Sequence, residues 1–410
     1  MPPKTKILAK SSRTVTAVTP SPAVPARKRS SLMILYGLGS LLAVSAALPA
    51  YIQSNFLGQF IHLQTIGYVY MIANLLSVLA ILFFPHLIKR LTNYFMSLVV
   101  LIVYGASLLG LAIAANAALA VMSIIIFIVA SNLIWINMDI LIESFSENAS
   151  TGRTRTIYLT FINAGWILSP LASSFLIKIG EYTLSFLVAA ALVIPFFLIF
   201  LRRARNLKQK INYEHKDLWP VALRVWRDKN RRNIFFVAFL LQLFYSSAVI
   251  YIPFHLLHNL DMGWDVLGPI FSLMLLPFLL IEIPAGIIAD KYLGEKEMLI
   301  TGFLILSAAL FLFFCIDTPT AWMWAAALFL SRIGAALIEA MRESYFFKII
   351  DVSEINDINL FRITGPIAYI VASALSILIL YFFPLNYLFL FLAVIMLSGL
   401  TFSASLRDTK

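Results

Sequence analysis

Stretches of roughly twenty apolar residues follow one another along almost the whole chain, broken only by short polar turns. A helix of that length matches the hydrocarbon thickness of a bilayer. Inside a bilayer only helices and closed barrels can satisfy their own backbone hydrogen bonds. Twelve such stretches stand at approximately 32–55, 64–87, 95–114, 118–142, 157–179, 182–202, 233–256, 264–289, 298–316, 321–347, 361–382 and 384–405. The alternating pattern of barrel strands is not seen. The expected class is therefore an all-α membrane protein with twelve transmembrane helices. With 61% hydrophobic and 12% charged residues, the chain carries more apolar surface than a water-soluble core could enclose.

The sequence also repeats itself weakly at a displacement of 200 residues. Asp139, Glu143, Ser144, Phe161, Gly165, Ala172 and Ser173 fall on Glu339, Glu343, Ser344, Phe361, Gly365, Ala372 and Ser373. Acids, glycine and serine recur in order across a helix, a polar loop and another helix. Two pseudo-symmetric six-helix bundles are the expected arrangement, and two similar halves can rock around a site between them.

The net charge of +11 is unevenly placed. Residues 1–30 hold seven Lys or Arg and no acid, and 202–232 hold eleven more. The connections near 56–63, 115–117, 257–263, 317–320 and 383 hold none, with Lys178 the lone basic residue on that side. This bias puts both termini and the long central loop in the cytoplasm of a multi-pass protein of the plasma (bacterial inner) membrane. No groove-fitting module for nucleic acid accompanies the basic stretches, whose bland reading is attraction to an anionic leaflet. Four units are expected: a disordered basic tail at 1–30, a bundle at 31–202, a cytoplasmic linker with a short amphipathic helix at 203–232, and a second bundle at 233–406. The acid-poor tail faintly resembles an organelle transit peptide, which Pro20, Pro22 and Pro25 oppose.

Between the eighth and ninth spans the chain reads PAGIIADKYLGEKEML. A small Gly286 would let helices approach closely, Asp290 could hold a neighbouring helix end, and Gly294 permits a turn with positive φ. Gly286, Asp290, Lys291, Gly294 and Lys296 resemble the loop signature of the major facilitator superfamily, G-x-x-x-D-[RK]-x-G-[RK]-[RK]. One extra residue precedes Gly294, and Glu295 takes a usually basic place. In the first half only Lys89 and Arg90 survive of this pattern. The resemblance implies the major facilitator fold over about 31–406, with this loop latching a cytoplasmic gate. The fifth span, NAGWILSPLASSFL, resembles the antiporter signature of the drug:proton group, with Gly165, Ser169, Pro170, Ser173 and Ser174 at its positions. The same residues also read simply as a small-residue packing face, with Pro170 bending the helix.

Ionisable residues within spans cost about 2.5–3.5 kcal/mol or more at mid-helix unless paired or wetted. Arg332, Glu339 and Glu343 share one helix face. Arg332 is expected in a cavity, holding cargo. Glu143 and Glu343, at the membrane surface, are expected in a gate. Asp139, Glu282 and Glu339 read two ways, as proton carriers or as gate ion pairs. Asn74, Asn132, Trp135, Asn163, Trp166, Gln242, Tyr245 and Tyr369 could line a site for a small organic molecule or join helices by hydrogen bonds. His255, His258, Asp261 and Asp265 could in principle hold a metal, but interfacial polarity explains them as well, and no metal is expected. The single Cys315 excludes a disulfide framework, and no nucleotide loop or Ser/His/Asp grouping is present.

The expectation is a monomeric secondary transporter, not an enzyme and without a cofactor, moving a small molecule by proton-coupled efflux. The alternative is uptake by symport or facilitated diffusion, and a polytopic membrane enzyme is a third class. The identity of the cargo does not follow from the sequence.

Overall fold

The computed structural model describes residues 26–145, 151–203, 218–349 and 355–407. The side chains of 26–32, 85–93, 139–145, 151–160, 203, 218–219, 283, 290, 347 and 355–359 lie outside the description. Regular structure among the described residues is helical: α1 Ala26–Ala50, α2 Gln53–Gly58, α3 Leu63–Ala112, α4 Ala117–Phe145, α5 Thr151–Arg203, α6 Leu218–Arg227, α7 Lys229–Phe254, α8 Trp264–Met274, α9 Leu276–Leu280, α10 Glu282–Ile288, α11 Glu295–Cys315, α12 Ala321–Ile349, α13 Ile355–Phe382 and α14 Leu385–Ala404.

Eleven stretches are long and apolar enough to cross a bilayer. One of them, Phe161–Arg202, has 42 residues; at about 1.5 Å per residue it is roughly twice the hydrocarbon thickness. It does not run straight. Gly180 (φ −144°, ψ 30°) and Glu181 (φ 53°, ψ −159°) leave the helical region and break α5 there. Large apolar side chains face outward on every side, Phe83, Phe175, Ile194, Phe311 and Val394 among them. In water such a surface would aggregate, and in lipid it is solvated.

Helix association in lipid relies on close packing and on side chains that bond neighbouring backbones. Within the first half of the chain, α1 lies along α5 and α3 along α4, and Ser45 Oγ donates to Ala189 O at 2.8 Å. Within the second half, α11 packs on α12 and α14. There Gly302 and Gly334 face each other so closely that a Cβ on Gly334 would stand 2.7 Å from Gly302 O.

The halves meet where α3 touches α13 and α5 touches α8. The described basic residues Arg202, Arg224, Arg227, Lys229, Arg231 and Arg232 mark one end of the molecule, here called the basic end. Seam contacts cluster at the other, far end. Trp264 Nε1 donates to Tyr182 Oη at 3.3 Å, Ser174 Oγ to Trp264 O, and Gln64 Nε2 to Leu380 O at 3.3 Å. A Cβ on Gly58 would meet Phe254 at 2.8 Å.

Candidate functional site

Between the halves lies a cavity of about 670 Å³, walled by residues of both. It runs from Tyr70 and Tyr369 in mid-helix to Glu343, Phe346 and Arg362, which sit within about two turns of the basic-end termini of α12 and α13. Among the described residues its first-half wall is uncharged, and Asn132, Trp135, Asn163, Trp166, Gln53, Tyr70 and Asn74 give it amides and flat rings. The second half supplies Gln242 and Tyr369 together with five ionisable groups: Glu282, Glu339, Glu343, Arg342 and Arg362.

The charged wall is partly self-compensated. Arg342 Nη2 stands 3.6 Å from Glu339 and 3.5 Å from Glu343, and Arg342 lies over the Phe361 ring at 5.5 Å. Tyr245 does not line the cavity; its hydroxyl donates to Glu339 Oε2 at 2.6 Å and fixes that carboxylate from behind. Glu282 has no ion-pair partner among the described residues. It is within electrostatic reach of Glu339 and Glu343.

Arg332 is not among the lining residues. Only 2% exposed, its guanidinium lies 5.0 Å from the Phe244 ring and 5.9 Å from that of Tyr245, with Tyr51 of the other half alongside. Its Nε and Nη1 have no hydrogen-bond partner. Helix periodicity put Arg332 and Glu339 on one face, but seven residues are about 10 Å of rise, and Phe244 and Tyr245 of α7 fill that distance.

Around the PAGIIADKYLGEK loop the geometry explains both departures from the signature. Ala289–Leu293 forms a π-helical turn closed by Gly294 N–H to Ala289 O at 2.9 Å; a five-residue turn absorbs one inserted residue without shifting the flanking helices. Gly294 has φ 93°, a left-handed value that favours glycine. Glu295, 1% exposed, accepts from Ser344 Oγ at 2.9 Å and pairs with Lys348, so the reversed charge ties α11 to the end of α12. At Gly286 a Cβ would meet nothing within 4 Å among the described residues. Lys291 is exposed. The side chains of Asp290, Lys89, Arg90, Asp139 and Glu143 lie outside the described residues.

The small residues of α5 serve two faces. Toward α1, a Cβ on Gly165 would come within 3.1 Å of Val44, and Ser173 Oγ donates to Leu48 O at 2.6 Å, while Ser169 Oγ bonds Gly165 O of its own helix at 2.6 Å. Toward α8 of the other half, Ser174 and Pro170 face Gly268, whose Cβ would stand 2.3 Å from Ser174 Cβ. His255 bonds Asn259 at 3.1 Å and packs edge-on against Trp324 and Phe389. No group of three or more His, Cys, Asp or Glu suited to a metal occurs among the described residues.

A sequence model described as "Major Facilitator Superfamily" matches residues 30–278 and 261–409, nearly the whole chain. The chain belongs to this superfamily. It is thus a multi-pass membrane transporter, and the resemblance carried by the loop signature is borne out. Among curated proteins none matches it by sequence. Solved structures of similar fold include a POT family transporter in complex with 5-aminolevulinic acid (TM-score 0.75, 14% identity, 91% of this chain and 95% of that one). Another is an auto-inhibited POT family peptide transporter (TM-score 0.74, 11% identity, 93% and 98%). At these identities the likeness is one of fold.

Reading the sequence alone missed Gln53, Tyr70, Arg342 and Arg362 as cavity residues. Arg362 carried a usable signal: with Gly365 and Tyr369 it forms an i, i+3, i+7 polar-to-small stripe on an otherwise apolar span.

Proposed function

We propose that the chain exports a small organic cation across the plasma membrane by exchange for protons, through alternating access of two six-helix bundles, 31–202 and 233–406. The two arms of α5 count as separate spans, which brings the total to twelve. The linker 203–232, the basic tail 1–30 and both termini are cytoplasmic, so the cavity faces the cytoplasm, and the protein works as a monomer. The observation that carries this reading is the 670 Å³ interdomain cavity, neutral and aromatic on one wall and charged on the other. Trp135 and Trp166 stack against an apolar body, with Asn132, Asn163, Gln242 and Tyr369 setting its orientation. Among the described residues, three carboxylates against two guanidinium groups leave an acidic excess that suits a cation or a proton in turn. Glu282, without an ion pair among the described residues, is the first choice as proton carrier, with Glu339 and Asp139 behind it.

Arg332 joins the binding site when the halves tilt and Tyr51 withdraws from it. We assign Gly286, Asp290, Lys291, Gly294, Lys89, Arg90, Glu143 and Glu343 to the cytoplasmic gate. Gly165, Ser169, Pro170, Ser173 and Ser174 form the seal that resists leak.

A second reading, symport or facilitated uptake of a small zwitterion, draws support from Arg342 and Arg362 on the acid-bearing wall and from the similar fold that holds 5-aminolevulinic acid. Proteoliposomes with an imposed pH gradient separate the two. With an acidic lumen, an antiporter accumulates cationic cargo inside as protons leave. Accumulation only when the acid is outside would overturn export by exchange and favour symport.

A further inference from the structure

A second cavity, about 950 Å³, opens at the basic end between the connector helix α6, the start of α7 and Ser405 to Arg407. Arg224, Arg227, Lys229 and Arg407 line it, and Asp228 is the acid among them. That acid is engaged: its carboxylate caps α7, accepting from Asn230 N at 2.9 Å and Arg231 N at 3.2 Å, and it pairs with Arg231 at 3.7 Å. Among the described residues the cavity's lining therefore carries more positive than negative charge, which suits a phosphate.

The rim is apolar. Val221 and Val225 bury one face of α6, yet Leu223 and Trp226 on its other side are 40% and 60% exposed. Trp226 lies 6.0 Å from Phe236, which stacks on Phe402 at 4.6 Å, so the indole sits on the outer flank of α7 and α14. Arg232 stands 5.9 Å over the same indole. An exposed Trp flanked by cations, on an amphipathic helix at the end of the spans, is the chemistry of the headgroup layer.

We propose that this cavity holds the phosphate-bearing headgroup of an anionic phospholipid, with its acyl chains passing Leu223 and Trp226 along α7 and α14. Cations from the connector and the start of α7 (Arg227, Lys229) and from the chain's end (Arg407) share the phosphate. The lipid thereby fastens the connector to the second half of the molecule.

The test measures thermal unfolding of the purified full chain in detergent with phosphatidylglycerol, phosphatidylcholine or inorganic phosphate at equal concentration. Phosphatidylglycerol should raise the midpoint by several degrees, and the other two should not. Combined Arg227→Gln, Lys229→Gln and Arg407→Gln should abolish the rise, while Arg202→Gln, a basic-end control outside the cavity, should keep it. An equal rise with phosphatidylcholine would overturn the headgroup assignment. An equal rise with inorganic phosphate would overturn the lipid as ligand, and a full rise in the triple variant would overturn the site. Native mass spectrometry covers the case of a misfolded triple variant: Arg407→Gln alone should retain clearly fewer phosphatidylglycerol adducts than the unaltered chain. Equal retention would also refute the proposal.

Discussion

Asn132 and Arg332 stand at matching positions of the 200-residue repeat, yet only Asn132 lines the cavity, where it also donates to Ser77 Oγ at 3.1 Å. The neutral amide can face water and a neighbouring helix at once. The cation is sealed behind Tyr51, Phe244 and Tyr245. A buried guanidinium without a counter-charge is costly by several kcal/mol, and an apolar residue of similar volume often stabilises such a site. Arg332→Met should therefore raise the thermal midpoint while cutting transport at least about tenfold. A lower midpoint with transport intact would make Arg332 a structural residue. Glu282→Gln should leave cargo binding in place and abolish pH-driven accumulation in proteoliposomes. Undiminished accumulation would remove Glu282 as proton carrier. Its half-buried place on the cavity wall, without an ion pair among the described residues, was not legible in the sequence, because spacing along α10 says nothing of what α12 presents to it.

At the scale of elements, glycines distinguish the seam between the halves from the seams within one half. A Cβ at Gly268 collides with a side chain of the opposite half, and one at Gly334 collides with backbone of its own half. Gly268→Val should push the far-end seam apart and raise labelling of a cysteine placed nearby, in a background where Cys315, the single native cysteine, is replaced by Ser. Gly334→Val should instead lower stability by about 1–3 kcal/mol, the cost of overpacking, without changing that labelling. Reversed outcomes would mean that the α5–α8 contact is static. The small-residue pattern of α5 was readable from its spacing. That Ser173 turns to α1 and Ser174 to α8 depends on the register between helices that no local pattern encodes. Likewise, the extra residue before Gly294 looked like a departure from the signature, and the π-helical turn accommodates it by widening one turn.

For the whole molecule, the seam is closed at the far end while the cavity extends toward the basic end. Gln64→Cys with Leu380→Cys joined by a short bifunctional reagent should trap this arrangement, since Gln64 Nε2 lies 3.3 Å from Leu380 O across the seam. Transport should then cease while cargo still binds from the basic end. Continued turnover after complete crosslinking would exclude rocking about this seam. Membrane class, helical content and superfamily followed from the sequence alone, because a bilayer allows so few backbone solutions that segment length and hydropathy nearly decide them. The loop signature then restricted the remaining choice. Beyond the Arg362, Gly365 and Tyr369 stripe, which polar residues face the cavity was decided by tertiary packing, because in lipid the outward faces are apolar too and scattered polar residues mark an inward face only weakly. Tyr245 behind Glu339, Arg332 behind Tyr245 and the cluster of Glu282, Glu339, Glu343, Arg342 and Arg362 on the second-half wall arise from contacts between helices far apart in the chain.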